Sequence, residues 1–157
     1  MSPPALERDA RALLDAMTEL LRVYQFRDRD RLGYHGLTIT QSYAMEVIVR
    51  LGPITLNDLA REMNLDKSTM SRVVDGLERK RAIVRRENPS DGRSTLIEAT
   101  HSGRERRRLI EEDLVAENAR VLSSFAPPAR VQAVELVRAL TNAARQRRLE
   151  DVGGDET

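Results

Sequence analysis

Between Thr55 and Leu77 the chain encodes two short amphipathic helices around a three-residue break, Asn64-Leu65-Asp66. Leu56, Leu59, Ala60 and Met63 share one face of the first helix, and Met70, Val73, Val74 and Leu77 one face of the second. Thr55 followed by Asp58 has the form of a capping box, and Asp66 is a cap for the second helix. Two such helices joined by so short a turn outline a helix-turn-helix.

The periodicity then changes. Ala82-Ile83-Val84-Arg85-Arg86 and Ser94-Thr95-Leu96-Ile97-Glu98 are short, rich in β-branched residues and joined by Asn88-Pro89-Ser90-Asp91-Gly92-Arg93, which predicts a hairpin. Pro89 restricts the entry to the turn, and Gly92 is expected to relieve the backbone strain of the reversal. Upstream, Leu6, Ala10, Leu13, Met17, Leu20, Leu21 and Tyr24 recur at helical spacing after Ser2-Pro3, with a break expected at Gly33 and Gly36. A second helix is expected from Thr40 to Leu51, ending at Gly52-Pro53. Downstream, Thr100 caps a long helix to about Phe125. Pro127-Pro128 open a last one carrying Val131, Val134, Val137 and Leu140, and Asp151-Val152-Gly153-Gly154 begin a frayed tail.

On the second helix of the motif, the face opposite Met70 holds Ser68, Arg72, Asp75 and Arg79, flanked by Thr69 and Ser71. Short hydroxyls around an arginine suit a groove of duplex DNA, because they let the backbone approach while the guanidinium reaches a base edge. Lys67 adds charge at the amino end, where the helix dipole also favours phosphate. A polar solvated face has the same composition, and Asp75 argues for that plainer reading unless it orients Arg72 and Arg79, three and four residues away. Charge adds weight to an anionic partner. The net charge is only +1, yet residues 50–110 hold fourteen Lys and Arg against nine acids.

Taken in order, LTITQSYAMEVIVRLGPITLNDLAREMNLDKSTMSRVVDGLERKRAIVRRENPSDGRSTLIEATHSGRE resembles the multiple-antibiotic-resistance regulator (MarR) family. The resemblance covers roughly residues 5–150. It rests on the leucine-threonine entry to the second helix, the reading unit, DGR in the wing and the T-H-S-G-R entry to the long helix. It implies a mainly α fold with a small β-hairpin wing, in which residues 37–100 form a winged helix-turn-helix DNA-binding domain. Residues 1–36 and 101–150 become helical dimerisation regions, and 151–157 a flexible tail. The partners implied are a second copy of the chain and double-stranded DNA with a pseudo-palindromic operator, in a repressor released by a small effector. Matched residue by residue, Ser68, Thr69, Ser71 and Arg72 take the family's major-groove contacts and Arg93 its wing-tip arginine. Asp91 takes the place of the acid that steadies that arginine, and Thr40 and Lys67 become phosphate contacts.

The flanking helices carry continuous apolar stripes, which a partner copy or a fold-back onto the same module would bury. Four of the five aromatics (Tyr24, Phe26, Tyr34 and Tyr43) lie beside His35. The resemblance makes Tyr24, Tyr34, His35 and Tyr43 candidates to line a pocket for a small aromatic or phenolic effector; packing of the core corner is the competing reading.

The chain has no cysteine, and its two histidines, His35 and His101, lack a ligand-like spacing, so no metal site, cofactor or thiol switch is expected. No nucleophile motif or phosphate-binding glycine loop is present, which speaks against an enzyme. Short apolar runs and the absence of a signal-like start predict a cytoplasmic protein without a membrane span. The alternative function is a winged-helix protein-interaction module that reads no bases.

Overall fold

The computed structural model describes the backbone of residues 3–153 and the side chains of 4–26 and 35–147. The chain forms two compact units, the first reaching to Glu111 and the second starting at Glu112. The elements run α1 (Pro3–Tyr34), α2 (Ile39–Leu51), β1 (Ile54–Thr55), α3 (Leu56–Met63), α4 (Lys67–Arg79), β2 (Ile83–Glu87), β3 (Thr95–Ala99), α5 (His101–Leu122) and α6 (Pro127–Gly153). This is the mainly α, winged helix-turn-helix architecture that the periodicities predict.

Side-chain caps mark where the helices start. Thr38 and Gln41 form a reciprocal capping box at α2, each satisfying the other's backbone N–H at 3.2 Å. Thr55 Oγ1 accepts the N–H of Asp58 at 3.2 Å to open α3, and Thr100 Oγ1 accepts the N–H of Gly103 at 2.9 Å to open α5. Asn64, in the left-handed region at φ 51°, ends α3 and lets Leu65 N–H reach back to the Ala60 carbonyl. The α3 and α4 stripes meet over a core in which Met45, Ile48, Leu59, Met70, Val74, Leu77, Ile83, Ile97 and Ile110 are fully buried. Each such side chain contributes about 1.5–3 kcal/mol on leaving water.

Three expectations need correcting. Gly33 lies within the last turn of α1, and the chain breaks instead at Gly36, whose φ of 72° is glycine's territory. The last helix continues through Asp151 and Val152 to Gly153; the rest of the expected tail, 154–157, lies outside the described residues. The sheet also has a third strand. The two-residue β1 pairs antiparallel with β3, Ile54 opposite Ile97 and Thr55 opposite Leu96, giving the order β1-β3-β2. Two residues are too few to show an alternating pattern, yet this pairing ties the start of α3 directly to the wing.

Apolar side chains outside the core are abundant. No described residue of α1 is buried, and Leu14, Leu20, Leu21 and Phe26 are all more than half exposed. In the second unit no described residue is buried either, with Val131, Leu136 and Val137 exposed on α6. No helix among the described residues is long and apolar enough to cross a membrane.

Candidate nucleic-acid interface

The amino end of α4 is organised by one carboxylate. Asp66 accepts the Thr69 N–H at 2.8 Å, the Ser68 hydroxyl at 2.6 Å and the Thr69 hydroxyl at 2.7 Å. These bonds, led by the one from the Ser68 hydroxyl, hold the Asp66 carboxyl well below the usual carboxylate range. Along the next turn Met70 is fully buried and anchors the helix, which leaves Lys67, Ser68 and Arg72 exposed and Thr69 and Ser71 half-buried. Among the described residues Arg72 makes no ion pair, so its guanidinium is available to an incoming ligand.

Asp75 does not orient Arg72 or Arg79. It pairs instead with Arg85 on β2 at 2.6 Å, and Glu78, one turn on, holds the other arm of the same guanidinium at 3.1 Å. Arg85 stands two residues beyond the buried Ile83 and hence on the same side of β2, the side that faces α4. An acid on the polar face of α4 therefore spends its charge fastening helix to wing. The available signal was an arginine in step with a core isoleucine, opposite acids spaced three apart on a helix.

The wing turn is held by side chains. Asn88 Nδ2 donates to Ser94 Oγ at 2.7 Å across the turn, and Asn88 Oδ1 accepts the Ser90 N–H at 3.0 Å. Asp91 Oδ1 accepts the backbone N–H of Arg93 at 3.0 Å. Asp91 therefore sets the backbone that carries Arg93 rather than gripping its guanidinium. Gly92 is not in the left-handed region, and a β-carbon there would meet open space, so the reversal does not depend on it.

A cleft of about 330 Å³ separates α4 from the wing. Lys67, Ser71 and Arg93, three of the residues singled out from the sequence, line it together with Arg85, Thr55, Asn57 and Thr95, which were not singled out. Lys67 and Arg93, with several hydroxyl or amide groups, make it a seat for an anion, while Arg85 is already held by Asp75 and Glu78. Thr40, half-buried in the first turn of α2, is not among the lining residues.

Behind α4 the position of the helix is set by Gln41, which sequence reasoning passed over. Gln41 Oε1 accepts Lys80 Nζ at 2.6 Å as well as the Thr38 N–H. Its amide packs where a β-carbon on Gly76 would stand, so a methyl there would push the Gln41 amide aside. Burial, with Arg106 and Arg79 nearby, holds the Lys80 ammonium below its ordinary pKa.

A second, apolar cleft of about 310 Å³ lies where α1 meets α2, lined by Leu20, Leu21, Tyr24, Gln25, Ile39 and Tyr43. It unites Tyr24 and Tyr43 of the four effector candidates. His35 is half-buried outside the lining, and the Tyr34 side chain lies outside the described residues.

Comparison with known proteins gives this arrangement relatives. The MarR family model matches residues 35–94, which run from the entry of α2 to the end of the wing turn. The chain is 31% identical over 71 residues to the HTH-type transcriptional regulator YdgJ of Bacillus subtilis, covering 45% of this chain and 43% of that protein. It is 30% identical over 89 residues to YxaD of the same organism, covering 57% and 62%. The match thus spans less than two thirds of the length of these curated relatives. The solved structure of a MarR family protein from Bacillus stearothermophilus superposes with a TM-score of 0.81 at 23% identity, over 88% of this chain and 97% of that one, a likeness of fold. Helix order, wing and sequence thus point the same way: the fold is a winged helix-turn-helix, and residues 35–94 match the MarR family.

Proposed function

We propose that the protein is a homodimeric, sequence-specific DNA-binding transcriptional repressor of the cytoplasm, released from its operator by a small aromatic or phenolic effector. The observation that carries the DNA reading is the exposed head of α4, with Ser68 and the unpaired Arg72, facing the wing over a cleft whose free cations, among the described residues, are Lys67 and Arg93. In this reading α4 enters a major groove, the cleft receives the intervening phosphate backbone, and Arg93 follows the neighbouring minor groove. Thr40 lies on α2 as a further phosphate contact.

Dimerisation is supported by the uncovered apolar side chains of α1 and α6, which exceed what scattered surface residues require. Twofold symmetry then calls for half-sites about 34–36 Å apart. Titrating the protein with selected duplexes over a range of salt tests the reading. Log affinity is expected to fall against log salt with a slope of about −0.9 per phosphate neutralised. Light scattering at micromolar concentration is expected to return a dimer. Salt-insensitive or absent DNA binding alongside a tight protein partner would instead favour an interaction module.

The Tyr24–Tyr43 cleft supports the effector step, since its apolar walls with two phenol groups suit an aromatic body carrying a polar edge. A ligand there acts only through preferring a dimer whose reading helices are misspaced for the operator. Tyr43→Ala is expected to weaken release by phenolic compounds at least several-fold while operator affinity stays within about twofold, because Tyr43 is exposed and outside the core. Unchanged release in this variant would move the effector elsewhere.

A further inference from the structure

The hydroxyl protons at the head of α4 are already committed. Asp66 is exposed and, with three hydrogen bonds favouring its charged form, ionised at neutral pH, so it offers lone pairs and no proton. Ser68 Oγ stands 2.6 Å from one carboxylate oxygen and Thr69 Oγ1 2.7 Å from the other, separations at which each hydroxyl must be the donor. A hydroxyl has one proton. What Ser68 and Thr69 have left to present outward is therefore acceptor lone pairs.

Few groups on DNA can answer an acceptor. Phosphate oxygens, guanine O6 and N7 and thymine O4 are acceptors themselves; in the major groove only adenine N6 and cytosine N4 donate. Turning either proton outward would break a bond to a carboxylate, roughly twice as strong as one between neutral groups. We propose that Asp66 sets the base preference of α4 by fixing Ser68 and Thr69 as hydrogen-bond acceptors, so that the strand they face carries adenine or cytosine rather than guanine or thymine. Ser68, exposed, carries most of the effect, and half-buried Thr69 less. Arg72 has the opposite polarity, a donor that seeks guanine, so the head of α4 reads amino and keto edges with different side chains. This inference rests on the reading of α4 as the DNA-reading helix.

Selection of bound duplexes from a random library, run with the full chain and with Ser68→Ala, Thr69→Val, Arg72→Ala and Asp66→Asn, tests it. Wild type is expected to prefer adenine or cytosine by about three- to tenfold, the worth of one hydrogen bond, at the position whose preference vanishes in Ser68→Ala. Thr69→Val, which keeps shape and loses only the hydroxyl, is expected to relax a neighbouring position less. Asparagine is as good a cap as aspartate: its oxygen keeps the Thr69 N–H and the Ser68 hydroxyl. Its amide replaces the other carboxylate oxygen and donates to Thr69 Oγ1, so in Asp66→Asn the Thr69 hydroxyl turns its proton outward. That variant is expected to admit guanine or thymine at the position that relaxes in Thr69→Val, with the bias there reduced to about twofold or less, while the Ser68 position keeps its preference. The base lost in Arg72→Ala is expected to stay as it was.

Guanine or thymine at the Ser68 position in wild type overturns the proposal while leaving DNA reading intact. So does a library in which no position responds to Ser68→Ala or Thr69→Val. Enrichment of no sequence at all removes the DNA reading itself, and this inference with it.

Discussion

Gly103→Ala is expected to lower the unfolding free energy by about 3 kcal/mol and the melting temperature by about 6–12 °C. Gly103 is buried in the first turn of α5, and a β-carbon there would overlap the Ala82 carbonyl oxygen outright, stand 2.8 Å from its carbon and 3.0 Å from Met45 Cε. Both backbones would have to move, and neither is free to do so. The Ala82 carbonyl already accepts the Thr100 N–H at 3.0 Å and the Thr100 hydroxyl at 3.1 Å, while the Ala82 N–H donates to the Leu77 carbonyl at 3.0 Å. The junction joins the end of α4, the start of β2 and the start of α5, so the variant is also expected to bind DNA more weakly than its lost stability explains. Gly92→Ala is the internal control. With no atom within 4 Å of the added methyl, it should melt within about 0.5 kcal/mol of wild type. Equal melting of the two variants in thermal denaturation would show that the α5–β2 contact is looser than described.

The second large effect is expected at Arg72. Removing its side chain from the α4 face should cost about 1–3 kcal/mol on the selected operator, a roughly 5- to 150-fold loss of affinity, and flatten the preference at one base pair. Arg93→Ala should behave differently, because a wing cation in the minor groove meets phosphates and groove width more than base edges. Its affinity is expected to fall more evenly across sequences, with the salt slope reduced by about one. Competition titrations against the operator and a scrambled duplex separate the two. Parallel losses on both duplexes for Arg72→Ala would make that residue a phosphate contact, and loss for neither variant would remove both from the interface.

Much of this site was legible in the chain because its signals are local. Thr55, Asp66 and Thr100 act as caps on N–H groups three residues ahead, and an amphipathic stripe repeats every three or four. The hairpin follows from two β-branched runs around an Asn-Pro-Ser-Asp turn, and strands β2 and β3 start within one residue of the expected positions. Ser68, Arg72 and Arg93 could be marked as outward residues for the same reason: once the buried stripe of an element is known, its opposite face is known too. Asp75 marks where that logic stops. Its neighbours along the helix suggested Arg72 and Arg79, but its partner is Arg85, on another element ten residues away.

The sequence by itself determined the helices and the hairpin, their faces and the helix starts that side-chain caps mark, since those rest on interactions spanning three or four residues and on the change from helical to alternating periodicity. The tertiary structure alone decided which faces meet. It paired Gln41 with Lys80, thirty-nine residues apart, and set Gly103 against a backbone carbonyl that leaves no room for a methyl. It also turned Asp75 into a clasp for the wing and brought Thr55, Asn57 and Arg85 to the cleft beside Lys67 and Arg93. Those pairings depend on how closely two backbones approach in a packed interior, a distance that no local pattern of residues encodes.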